Sequence, residues 1–112
     1  MPEKSIYRIT ESGDKYFLGL MKKISAQMVN VFLDFNAVVI NMGMLSSYEE
    51  REIIDNIQIE IVKYKNAVSK LEVEREEISI CAKSILRQQV LLSEALSGWI
   101  SDFRKLRINI LI

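Results

Sequence analysis

Residues 46–79 read "SSYEEREIIDNIQIEIVKYKNAVSKLEVEREEIS", and this stretch settles how the chain is built. Ser46 with Glu49, and Ser47 with Glu50, match the capping-box spacing, in which hydroxyl and carboxylate satisfy orphan backbone N–H groups at a helix start. Ile54, Ile57, Ile61, Tyr64, Val68 and Leu71 then alternate at spacings of three and four, a coiled-coil-like signal. The run reaches Arg75 and resumes as Ile78, Ala82, Ile85, Gln89, Leu92, Leu96, Trp99, Phe103, Leu106 and Ile110. No Pro follows Ser46, and the only Gly beyond it is Gly98. Two architectures fit: one helix of about 60 residues, roughly 90 Å long, or two helices with a break near "LEVEREEIS". Glu72, Glu74, Glu76 and Glu77 suit the acidic first turn of a new helix, and Lys63, Lys65 and Lys70 suit the end of the previous one. The break is the expected arrangement, with the last helix over about 78–108.

That last helix has a wide apolar face, since Cys81, Leu86, Val90, Leu91, Ala95 and Ile100 add to the seam. One neighbouring helix cannot cover such a face, so a dimer is expected. Its expected interface is Leu92, Leu96, Trp99, Phe103 and Leu106. Trp99 is read as a dimer or core anchor, because Trp gives much contact area at low entropic cost. Gly98 beside it would permit close approach of a neighbouring helix.

Upstream, Ile6–Ile9 reads as a short β-prone strand. Thr10 is a suitable N-cap for a helix over 11–24, with Glu11 and Asp14 in its first turn and Lys22 and Lys23 near its end. A further helix is expected over about 28–42. Met28, Val31, Phe32, Phe35, Val38, Val39 and Met42 would share one side of it, and Gly43 would form a left-handed C-cap. The expected fold class is all-α, with about four helices. The two long C-terminal ones pack in coiled-coil fashion, behind a remnant strand. Residues 1–10 form the strand end and linker, and residues 11–112 the helical domain.

Composition narrows the function. Fifteen basic and fifteen acidic residues give a formal net charge of +0, so no overall field draws the chain to nucleic acid or an anionic membrane. There is one cysteine and no histidine, which removes an internal disulfide, the usual general base and the usual nitrogen ligand of zinc. No catalytic residue, metal site or cofactor is expected. The carboxylates at 49, 50 and 52, and those at 72–77, read as solvated helix faces. Cys81, among apolar neighbours, reads as a small core residue. Lys4 and Arg8 flank the first strand and could touch phosphate. The apolar stretch at 26–45 carries Asn30, Asp34, Asn36 and Asn41, which are costly in a bilayer. A soluble, cytoplasmic protein is expected.

"YRITESG", residues 7–13, resembles the end of a winged-helix wing, with Tyr7, Ile9, Thr10 and Gly13 matching the pattern Y-x-[IL]-T-x-x-G. The continuation is similar to the PadR family of bacterial regulators. "FLDFNAVVINMGMLSSYEERE" is similar to the segment that follows the wing there, and "LLSEALSGWISDF" resembles the late dimerisation helix. The resemblance covers nearly all of this chain but only the back of that family's architecture, since no helix-turn-helix precedes it here. It implies a homodimerising, effector-sensing C-terminal domain of a transcriptional regulator, which reaches DNA only through a separate head or a full-length partner. It names no effector. Two other readings stay open: a stand-alone coiled-coil adaptor or regulator-binding protein, and a MarR-like regulator fragment.

Overall fold

The computed structural model describes residues 10–111, and it is all-α. Helix α1 spans Glu11–Ser25, α2 Asn36–Ile40, α3 Ser47–Glu74 and α4 Ile80–Leu111, with a 3-10 turn at Met42–Met44. The chain divides into two compact units, Met1–Leu33 and Asp34–Ile112. The strand expected over Ile6–Ile9, and Lys4 and Arg8 beside it, lie outside the described residues.

In the first unit, α1 starts where local chemistry dictates. The Gly13 N–H donates to Thr10 Oγ1 at 3.0 Å, and the Asp14 N–H donates to the Thr10 carbonyl at 2.8 Å. Glu11 and Asp14 occupy the positive end of the helix dipole, and Lys22 and Lys23 the negative end. No residue of α1 is buried; Tyr16, Phe17, Leu20, Met21 and Ile24 are all exposed.

The second unit is built on a hairpin of α3 and α4, 28 and 32 residues long, or about 42 and 48 Å. Ser46 opens α3 with a complete capping box: the Glu49 N–H donates to Ser46 Oγ at 3.2 Å, and the Ser46 N–H donates to Glu49 Oε1 at 3.0 Å. The backbone hydrogen bond from Ser46 holds the Glu49 carboxyl below its ordinary range, with the Ser46 side chain adding to the effect. A lowered carboxyl pKa stabilises the fold above the unfolded value, and that contribution is lost as pH falls through the lower folded value. In urea melts, the wild-type midpoint should therefore fall as pH drops below about 4.3. Glu49→Gln should flatten that part of the profile, and an unchanged profile would remove the capping carboxylate as its cause.

The break between the long helices lies where expected, at residues 75–79. Its chemistry differs from expectation. Glu72 and Glu74 close α3 rather than open α4, whose first turn holds no acidic residue. Ser79 opens α4 instead, accepting from the Ala82 N–H at 3.1 Å.

The helix expected over 28–42 is largely absent. Only Asn36–Ile40 is α-helical, and Met42–Met44 is a 3-10 turn. Val29 and Val31 lose rotamer freedom in a helix, and the intervening Asn30 and following Asp34 offer the backbone competing hydrogen bonds. Asn41 ends α2, its Nδ2 donating to the Ala37 carbonyl at 2.7 Å. No described glycine has a positive φ, so Gly43 is not the left-handed cap that was expected. It lies within the 3-10 turn.

Met42, Ile54, Ile57, Ile61 and Ile100 form the core. Phe35 and Val39 from the α2 segment, Ile53 from α3, and Leu96, Trp99 and Phe103 from α4 pack against it. The Trp99 ring lies between two others: its centroid is 5.5 Å from Phe35 and 6.0 Å from Phe103, with interplanar angles of 10° and 4°. Offset stacking of this kind adds about 0.5–1.5 kcal/mol per pair beyond area burial. The α2 segment thus serves as a short cover over one side of the hairpin's open end.

Candidate interaction surface

Cross-helix polar pairs fix how α3 meets α4. Glu50 pairs with Arg107, Asp55 with Arg104 at 2.7 Å, and Glu72 with Arg87 at 3.6 Å. As the number rises on α3 it falls on α4, so the helices are antiparallel. Arg104 also donates to Gln58 Oε1 at 2.6 Å. In every pair α3 supplies the carboxylate and α4 the guanidinium, which selects one register against slipped alternatives.

Glu50 is the exception to the expected solvated carboxylates, being only 2% exposed. Arg107 donates to it through Nη2 to Oε1, and through Nε to Oε2 at 3.3 Å. The signal was present in the spacing: Glu50 lies four residues before Ile54 and seven before Ile57, on the apolar phase of α3. The two overlapping capping boxes are also resolved by this pair. Glu50 is committed to Arg107, so Ser46 and Glu49 form the cap.

On α3 the expected seam holds at Ile54, Ile57, Ile61 and Val68, which are buried, whereas Tyr64 is half-buried and Leu71 is exposed. On α4 the line of contact is rotated. Among the residues whose burial is described, those buried there are Val90, Ser93 and Ile100, rather than the alternating seam. Ser93 is 0% exposed, and its hydroxyl donates to the Val90 carbonyl at 2.7 Å. This small side chain is satisfied within its own helix, and nothing in the apolar periodicity marks it.

The five residues expected at a dimer interface separate accordingly. Leu96, Trp99 and Phe103 are half-buried against the chain's own core. Leu92 and Leu106 are 38% and 59% exposed. Cys81 is exposed rather than in the core. A Cβ at Gly98 would meet nothing within 4 Å, so no approach within the chain requires glycine there.

What remains exposed is a charge-poor apolar surface. From Cys81 to Leu96 the only charged residues of α4 are Lys83, Arg87 and Glu94. Their spacings of four and seven place all three on one side of the helix. The rest of that stretch is apolar or neutral, and Ile85, Leu91 and Leu92 in it are exposed. An open cleft of about 390 Å³ beside the turn is lined by Arg75, Lys83 and Arg87 but also by Glu72 and Glu76; Arg87 is already paired with Glu72. Among the described residues, no group of three His, Cys, Asp or Glu side chains could hold a metal ion. No described helix is long and apolar enough to cross a membrane. The chemistry of this surface is therefore apolar contact. No family model matches the chain, and neither a curated protein nor a solved structure matches it.

Proposed function

We propose that this chain is a helical dimerisation module, built on the α3–α4 hairpin, that holds two copies together through the uncovered apolar face of α4. The observation that carries the reading is that face: two helices of one chain cover only part of α4, and the exposed remainder around Leu92 is nearly free of charge. Depletion of charge at the centre of an apolar patch is the compositional mark of a protein interface. The similarity of residues 7–13 and of the following segment to PadR regulators supports a setting. The module would pair two DNA-binding heads and set their spacing, without itself reading a DNA sequence.

Light scattering at tens of micromolar should give twice the chain mass of 13.0 kDa. A clean monomer there would sink the reading. Fused behind a DNA-binding head that requires dimerisation, residues 10–112 should restore operator occupancy. Failure to do so, with the fusion folded, would count equally against it.

A further inference from the structure

Resting on the dimer reading above, we infer that the second copy docks on the turn-proximal half of the hairpin face. That half is formed by Tyr64 and Leu71 of α3 and by Ile85 and Leu92 of α4, and the turn-distal line through Leu106 is not the centre of the contact.

Helical phase supports this placement. Ile53, Tyr64 and Leu71 are separated by eleven and seven residues, and Ile85, Leu92 and Trp99 by seven each. These intervals return a side chain to the same helix face. The face bearing Ile53 and Trp99 therefore continues past Tyr64, Leu71, Ile85 and Leu92 to the turn. At the open end it is covered by Phe35 and Val39. Toward the turn it is less covered: Tyr64 is half-buried, and Leu71 is 37%, Ile85 52% and Leu92 38% exposed. One apolar surface is thus half covered by its own chain and half open.

Charge selects the occupant. Along the α3 edge Lys63 pairs with Glu60 at 3.2 Å and Lys70 with Glu74 at 4.0 Å, while Lys65, one residue on from Tyr64, lies about 100° around the helix from it. The charged residues of α4 lie on another side of that helix, as their spacing shows. A second copy laid over this face meets a neutral α4 flank and an internally compensated rim, so no like charges are forced together. An anionic membrane would call for an excess of Lys and Arg at the rim, and nucleic acid would call for phosphate-binding cations. Neither is present on this edge.

Size sets the strength. Residues 60–71 and 81–96 span about 20 Å along the hairpin, and two helices side by side span about 20 Å across it. That outline is within a factor of about two of the ~800 Å² per partner of a standard interface. An interface at this lower end of the size range is one whose dissociation dilution can measure.

Light scattering of the full chain and of Ile85→Glu, Leu92→Glu and Leu106→Glu tests the placement, with circular dichroism to confirm that each variant keeps its helix content. Ile85→Glu should raise the dimer dissociation constant at least tenfold, because it puts an unpaired charge at the centre of the contact, and Leu106→Glu should leave it unchanged. A dimer lost only in Leu106→Glu, or retained in both Ile85→Glu and Leu92→Glu, overturns the placement while the dimer reading stands. A monomeric wild-type chain defeats the dimer reading, and this placement with it. Cys81, exposed one turn before Ile85, gives a second measurement that needs no substitution. Its reaction with a maleimide should slow as the chain is concentrated through the dissociation range. A constant rate in a proven dimer overturns the placement.

Discussion

Arg107→Ala is expected to lower the unfolding free energy by about 3 kcal/mol, the lower end of the range for removing one partner of a buried ion pair. The loss comes from the carboxylate left behind. Glu50 is 2% exposed and cannot regain water without separating α3 from α4 at the hairpin's open end. Arg107 itself is partly exposed, with 27% of its side-chain surface accessible, and solvent screening there sets the expectation at the low end. The double variant Glu50→Leu with Arg107→Met removes both charges and keeps the volume apolar. It should recover most of the loss, since a well-packed apolar replacement of a buried pair is often neutral or stabilising. Urea melts at fixed chain concentration check both. A loss below about 1 kcal/mol for Arg107→Ala would mean that Glu50 is solvated or finds another partner.

Trp99→Ala is expected to cost a similar amount, again about 3 kcal/mol, at the low end for truncating a large aromatic because the ring is only half-buried. Its ring joins the α2 segment to α4 through Phe35 and extends the stack to Phe103. Removing it opens a gap between the cover and the hairpin and breaks both stacks. Trp99→Phe keeps a ring in that position and should cost clearly less. Small domains of this size have only about 5–15 kcal/mol of stability in total, so the alanine variant should melt far earlier. Trp99 is the only tryptophan, and its emission in the wild type reports this junction directly. If Trp99→Ala weakened association while leaving the melting temperature alone, the ring would belong to an interface between copies and not to the core.

Much of the fold is legible along the chain because helices are decided by interactions within four residues. The caps at Thr10 and Ser46, the apolar spacing from Ile54 to Val68 and the break after Glu74 are all local signals, and the structure contains each of them. The failures are also physical. The segment from Met28 to Met42 has helical spacing, but β-branched residues and Asn and Asp side chains compete with the helix there. Only Phe35, Val39 and Met42 at its far end act as a cover, while Met28, Val31 and Phe32 are exposed. Glu72 and Glu74 have the right chemistry for a helix start, yet α3 continues through them, and Glu72 faces Arg87 on the other long helix.

The candidate surface was less legible for a related reason. Periodicity shows that α4 has more apolar surface than one neighbour can cover, but it does not show which residues the neighbour takes. That choice depends on groups far apart in the chain: Glu50 with Arg107, and Phe35 with Trp99. Local sequence, through caps, spacing and charge placement, was enough to establish an all-α chain with two long helices and an apolar surplus on the second. The antiparallel register, the burial of Glu50 and the division of that surplus into a covered half and an open half emerged only from long-range contact, because a helix face is defined by its own residues and its burial by what packs against it.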